Sequence, residues 1–329
     1  MKKKIIRISS LIGIVLFVLL VWKIGPDQIW DNIKKITWHN FVILFFLRLF
    51  YWMLRTYCWD VILKGYGHRA TFLHLFVCRM SSHAVSHLTP SAAVGGEAAR
   101  IFMLNSSSKK ITLASVIVDK TMELLALIAL AIVGVGVAVT RISLPVKYQV
   151  FLISFVVGGT LLLFLILSKQ KQGFIGWIVK LLGKIKIKFK AVERNREKIE
   201  ETDKYISEFY RNQRKRFWQV FFLYSMLVLV WTMEIHLTLL FIGASNISIL
   251  DSFVIVTLGS ISFSFPIVPA SIGIYEATYV GIFALLRLGT DMGLTLVLIR
   301  RVIALLWAGV GVLGMIIVNQ DRQKKREDL

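Results

Sequence analysis

Two glutamates, Glu97 and Glu276, each stand seven residues after a proline, Pro90 and Pro269, with glycine in between. The first stretch reads His87-Leu88-Thr89-Pro90-Ser91-Ala92-Ala93-Val94-Gly95-Gly96-Glu97-Ala98-Ala99-Arg100. The second reads Phe265-Pro266-Ile267-Val268-Pro269-Ala270-Ser271-Ile272-Gly273-Ile274-Tyr275-Glu276-Ala277-Thr278. Proline removes a backbone donor and glycine tolerates irregular dihedrals, so each stretch interrupts the apolar run that contains it. A helix that restarts after such a break aims unpaired N–H groups and its positive dipole end at whatever it faces. That end can hold a phosphate without a dedicated basic side chain. A nearby glutamate can cap the helix, pair with an arginine or meet a cationic group. It can equally be a buried carboxylate that only holds the turn together, and both readings stay open.

Other charged residues fall inside apolar sequence: Arg48 and Arg55, seven apart on one helix face, with Asp60 beyond them; Asp119 and Glu123, four apart, with Lys120 between; Glu234 and His236; and Arg300-Arg301. Charges in such surroundings are costly and face a partner or water. Arg55, Arg100, Asp119, Glu123, Glu276 and Arg301 are expected to face a substrate. Arg48, Lys120 and Arg300 are long enough to reach an interface instead. His83 and His87 have a spacing that can bind metal, but the zincin glutamate does not accompany them, so a polar lining is expected and no metal. No nucleophile elbow, P-loop or dinucleotide fingerprint occurs, and neither catalytic residues nor a cofactor are expected. Cys58 and Cys78 lack redox or metal spacing and read as packing thiols.

The elements that must position these groups are apolar segments of membrane-spanning length. The 329 residues are 56% hydrophobic, with a mean hydropathy of +0.69. The apolar residues fall in runs of about 20, enough to cross a hydrocarbon core. Met1-Lys2-Lys3-Lys4 precedes an apolar run from Ile5 to Val21, which ends at Trp22-Lys23-Ile24-Gly25-Pro26 without a small-residue cleavage site, so an uncleaved first span is expected. Further segments cover approximately 41–63, 71–88, 98–104, 112–139, 148–168, 217–243, 252–268, 272–288 and 293–318. The pieces 71–104 and 252–288 are broken near their middles and are expected to turn back on themselves. Irregular backbone at membrane depth is tolerated only where protein or a wet cavity covers it. The expectation is an all-α polytopic membrane protein, an inverted repeat with two re-entrant broken helical hairpins. Its parts are an N-terminal membrane half, 1–168, a basic cytoplasmic loop, 169–216, and a C-terminal membrane half, 217–329.

The formal net charge is +21. The basic residues lie beside and between apolar runs, which favours anionic lipid over nucleic acid as partner. Stretch 169–216 carries fifteen Lys and Arg against six acids, a net of +9. The positive-inside tendency places it in the cytoplasm with both termini. Ile178, Leu182, Ile185, Phe189 and Val192 recur there at helical steps, either as an interfacial helix on lipid or as a loop helix packed on its neighbours. No stretch is long and polar enough for a separate soluble enzyme domain.

Pro90…Gly95-Gly96-Glu97-Ala98-Ala99-Arg100, then Asp119-Lys120…Glu123, then Pro269…Gly273-Ile274-Tyr275-Glu276 and finally Arg301 resemble the lysylphosphatidylglycerol synthase transmembrane-region family over nearly the whole chain. That family includes the membrane half of the multiple peptide resistance factor, which resembles a flippase for aminoacylated phosphatidylglycerol. The resemblance implies that the re-entrant elements line a lipid path, with Glu97, Arg100 and Glu276 as carried-over positions. The soluble lysyl-transferring portion of the full-length factor is not expected here. The resulting expectation is a phospholipid flippase or scramblase of the cytoplasmic membrane of bacterial type, moving anionic or aminoacylated phosphatidylglycerol. Its lipid-facing residues would be Arg55, Pro90, Gly95, Gly96, Glu97, Arg100, Asp119, Glu123, Pro269, Gly273, Glu276 and Arg301. Alternatives are a phosphatidylglycerol lysyltransferase, the one reading that would bring in a nucleic acid; a scaffold docking a separate synthase; and an undecaprenyl-phosphate translocase. Homo-oligomers are compatible with each.

Overall fold

A computed structural model describes residues 22, 26–88, 92–104, 108–141, 146–170, 173–177, 179, 196–260 and 273–327. Among the described residues every regular element is a helix. In chain order these are α1 (Pro26–Lys34), α2 (Trp38–Gly65), α3 (Phe72–Leu88), α4 (Ala92–Met103), α5 (Lys109–Arg141) and α6 (Val146–Gln170), followed by α7 (Arg196–Asn212), α8 (Arg214–Phe241), α9 (Ile249–Gly259), α10 (Ile274–Leu285) and α11 (Thr290–Glu327). Five of them, α2, α5, α6, α8 and α11, are long and apolar enough to cross a membrane. At 28 residues, α2 and α8 each extend about 42 Å, more than a hydrocarbon core.

Hydrophobicity, not helix propensity, dictates these elements: α6 is apolar nearly all round and turns Val150, Phe151, Val157, Leu161, Leu162 and Phe164 outward. A helix apolar on every side belongs in lipid. Local signals set the starts. Thr37 caps α2 by accepting from the Asn40 N–H at 3.4 Å. Ser248 and Asp251 satisfy each other's backbone donors reciprocally at the start of α9.

Close approaches lock the bundle. A Cβ on Gly311 of α11 would sit 2.1 Å from the Met80 carbonyl oxygen of α3, and one on Gly134 of α5 would sit 2.1 Å from Thr257 Oγ1 of α9. Small residues at such crossings let backbones meet where lipid supplies no hydrophobic driving force. Leu75 near the start of α3 and Leu104 just after α4 belong to one buried cluster with Trp59, Leu63 and Val116. The start of α3 and the end of α4 thus pack into the same cluster.

Several expected boundaries shift. Segment 98–104 begins earlier, as α4 from Ala92, and the helix of 252–268 ends at Gly259. The centre of the second break, Pro269 included, lies outside the described residues, as do Pro90 and the helical face Ile178–Val192. Two helices were not expected from hydropathy, α1 and α7. The latter is polar outward but buries Thr202, Ile206, Phe209 and Tyr210, packing against Val61, Ile62, Ala114 and Val220. Its Asp203 accepts from the Ile175 and Gly176 N–H groups at 2.7 and 2.8 Å, which fastens the start of the short helical turn 174–177.

Candidate functional site: two ion-pair clusters at the broken helices

The first cluster forms where α4 and α5 meet α2 and α3. Asp119, fully buried, accepts from Arg79 Nη1 and Nη2 at 2.9 and 3.2 Å and from Arg100 Nη1 at 2.8 Å. Tyr224 of α8 donates its hydroxyl to Asp119 Oδ1 at 2.5 Å. Both guanidinium groups lie over the Trp59 ring, 4.5 Å from its centroid for Arg100 and 5.5 Å for Arg79. A buried carboxylate needs such company, because removing charge from water without a partner costs several kcal/mol.

From this centre the charges run outward. Arg100 Nη2 stands 2.8 Å from Glu97, Lys120 lies 3.1 Å from both Glu97 and Glu123, and Arg55 donates to Glu123 Oε2 at 2.6 Å. Exposure rises along the same path, from 0% for the Asp119 and Arg100 side chains to 21% for Glu97, 29% for Glu123 and 40% for Lys120. Four cations face three carboxylates, so the cluster keeps an excess of positive charge. Glu97, Arg100, Asp119, Glu123 and Arg55, all read from the sequence as candidates, converge here.

The second cluster lies at the start of α10. Gly273 adopts φ +83, a left-handed conformation in which a Cβ is strained, and its N–H donates to Glu276 Oε2 at 2.7 Å. Arg301 of α11 donates Nε to the other carboxylate oxygen. Glu276 is thus both a helix cap and an ion-pair partner, with no exposed side-chain surface. Next to it, Arg48 of α2 pairs with Glu234 of α8, and Arg300 lies 4.9 Å above the Trp231 ring. Tyr51 joins the two clusters: its hydroxyl accepts from Arg55 Nη1 at 3.2 Å and its ring lies under Arg48, 5.1 Å away.

The two glutamates of the repeated motif therefore differ in role. Glu276 lies in the first turn of α10, but Glu97 is the sixth residue of α4 and sits a turn further in. From there it pairs with Arg100 and Lys120 instead of capping its helix. Gly96 serves packing: a Cβ there would lie 2.0 Å from Ser86 Oγ and 2.3 Å from the Ser82 carbonyl oxygen, so glycine lets α4 lie directly on α3. Gly95, half-buried, lies beside it in α4.

Arg48 and Arg300 do not reach out to an interface. One is ion-paired and the other is packed on an indole. The His83 and His87 rings lie with centroids 4.1 Å apart and planes tilted by 53°. A nitrogen of His83 lies 3.1 Å from the Ala304 carbonyl oxygen and one of His87 lies 3.2 Å from that of His83. Cys58 and Cys78 are buried.

Sequence reading missed Arg79, Tyr51, Trp59 and Tyr224. Arg79 could have been found, since a cation in the middle of an apolar run carries the same signal as Arg55. The aromatic residues could not, because tyrosine and tryptophan are ordinary in apolar helices.

In both clusters each carboxylate is already held by a cation.

Two similar proteins match almost end to end. A UPF0104 membrane protein of Methanocaldococcus jannaschii is 23% identical over 339 aligned positions, 99% of each chain. A UPF0104 membrane protein of Methanothermobacter thermautotrophicus is 24% identical over 311, 90% of each chain. The profile of the lysylphosphatidylglycerol synthase TM region family matches residues 6–312. With five described helices long and apolar enough to cross a membrane, this multi-pass membrane protein belongs to that family.

Proposed function

We propose that the chain is a phospholipid flippase or scramblase that carries an anionic or aminoacylated phosphatidylglycerol headgroup between the leaflets of the cytoplasmic membrane. The observation that carries this reading is the first cluster: four cations and three carboxylates enclosed among apolar helices, sealed at Asp119 and open at Lys120. Charges within a membrane-spanning bundle mark a pathway. A phosphate would meet Lys120 at the open rim, with the buried Arg100 adding its charge from behind, and an amine on the headgroup would meet Glu97 or Glu123, while the acyl chains stay in lipid.

The α3–α4 pair is read as a hairpin entering from the cytoplasmic side and α9–α10 as its inverted counterpart, with alternating exposure produced by rocking of the two halves. The basic stretch 169–216 and both termini then lie in the cytoplasm.

Reconstitution into vesicles containing fluorescently labelled phosphatidylglycerol tests the reading through the rate at which label leaves the outer leaflet. Wild-type protein should accelerate exchange. Glu97→Gln, which removes the charge facing Arg100 and Lys120, should slow it about tenfold or more, the scale of a lost charge-assisted contact. Equal rates for the variant and wild type would remove the cluster from the pathway. No acceleration by wild type would end the flippase reading.

A further inference from the structure

Three nitrogen donors stand in a row on one face of α2. They are Arg48 Nε, Trp52 Nε1 and Arg55 Nε, and each is buried without a hydrogen-bond partner among the described residues. Their spacing of four and then three residues puts them on one stripe of the helix, about 10 Å from end to end. Trp52 is 6% exposed, and the Arg48 and Arg55 side chains are each 13% exposed.

Buried donors are satisfied almost without exception, and each one left open costs about 1–3 kcal/mol. Three on one stripe, two of them on guanidinium groups, make a costly arrangement. Other buried donors are open elsewhere, on Arg79, Arg100 and Trp307 among others, but these three share one stripe, where a single acceptor-rich group could satisfy them in turn. The stripe also begins and ends at the charged clusters: Arg55 is paired to Glu123 of the first, and Arg48 to Glu234 beside the second. Tyr51 lies between them, in contact with both arginines.

We propose that this donor row is the track along which the oxygens of a phosphate-type anion pass from the first cluster to the second, with Trp52 as the middle rung. The row rests on the reading of the chain as a headgroup carrier, and it adds a path and a ligand chemistry to that reading. A phosphodiester offers acceptors on two free oxygens. It can hold one rung while reaching for the next, so the anion need not be released into the hydrocarbon.

In the present conformation the row is covered. His83 of α3 packs on the Trp52 ring with centroids 4.7 Å apart, and Trp307 of α11 stacks on Phe45, one turn before Arg48. The cover is a single unit, because α11 meets α3 backbone to side-chain-free backbone at Gly311. Occupation of the track requires α3 and α11 to draw back from α2 together.

Trp52→Phe removes the middle donor and keeps an aromatic ring against His83. Arg48→Lys removes the Nε donor and keeps the charge facing Glu234. Both variants and a control, Trp30→Phe on the exposed part of α1, are compared with wild type in two arms. One arm is labelled-phosphatidylglycerol exchange in vesicles. The other is binding to the purified full chain in detergent, with phosphatidylglycerol and inorganic phosphate titrated separately.

Trp52→Phe and Arg48→Lys should each lower exchange and phosphatidylglycerol binding about tenfold, with Trp30→Phe unchanged and the melting temperature within a few degrees of wild type. If wild type moves no lipid but binds inorganic phosphate in a Trp52-dependent way, the headgroup-carrier reading fails and the track stands as a site for a free anion. If both variants fold and match wild type in both arms, the track is overturned, whatever Glu97→Gln does. Should Trp52→Phe fail to fold, Arg48→Lys decides by the same two readouts.

Discussion

Asp119 ties together four helices: it sits on α5, holds Arg79 of α3 and Arg100 of α4, and accepts from Tyr224 of α8. Removing one member of a buried set leaves the others charged and unpaired, which costs more than the pair itself contributes. Asp119→Ala should therefore destabilise the protein by about 3–5 kcal/mol, measured as loss of helical signal on heating or denaturant titration in detergent. Tyr224→Phe, which deletes a single bond to a charged acceptor, should cost about 1.5–3 kcal/mol. In the Asp119→Ala, Tyr224→Phe double variant the two effects should fall short of adding, because each single change already loses the same bond. Lys120 is the contrasting case. It touches two glutamates but is 40% exposed, and an ion pair that solvent reaches contributes about 0–1 kcal/mol. Lys120→Ala should leave the melting temperature almost unmoved while slowing lipid exchange. That separation of stability from transport would not be seen if the first cluster were only a structural brace.

Element placement depends on a few glycines whose roles differ. Gly273 starts α10 at φ +83, so Gly273→Ala should cost about 1–2 kcal/mol through backbone strain and loosen the cap that positions Glu276. Gly311 and Gly309 are two residues apart on α11. A Cβ on Gly311 would strike the Met80 carbonyl oxygen, whereas one on Gly309 would meet open space. Gly311→Ala should therefore lower the melting temperature, on the scale of about 1–3 kcal/mol for overpacking, and Gly309→Ala should not. The spans were legible in sequence because twenty apolar residues have few alternatives. The matched Pro-to-Glu spacing pointed to both clusters, yet it did not show that Glu97 sits a turn deeper than Glu276. Where a helix restarts after a proline depends on the packing of its small residues, here Gly96 against Ser82 and Ser86, and spacing does not encode that. Helix α7 went unread for a related reason: its apolar face is only Ile206, Phe209 and Tyr210 with Thr202, too narrow to stand out among charged residues of both signs.

At the scale of the molecule, the charge asymmetry and the helix lengths make one joint prediction. Helix α8 runs from Arg214-Lys215-Arg216 to Phe241, about 42 Å, long and apolar enough for its two ends to lie on opposite sides of a bilayer. Trp218 near its basic end and Trp38 at the start of α2 are both exposed, as expected of aromatic anchors at the two interfaces. The basic end is cytoplasmic if the net +9 of stretch 169–216 governs insertion. Cysteine labelling can read this against a quiet background, because Cys58 and Cys78 are fully buried. Lys204 on α7 and Asn246 in the turn after α8 are exposed. In intact cells a membrane-impermeant maleimide should label Asn246→Cys and not Lys204→Cys, and permeabilisation should add Lys204→Cys. The reverse pattern would invert the orientation and put the rim of the first cluster on the outer side. Labelling of both before permeabilisation would mean that α8 does not cross. The expected pattern would instead place Lys120 toward the cytoplasmic leaflet, the side on which a headgroup bound for export must first be met.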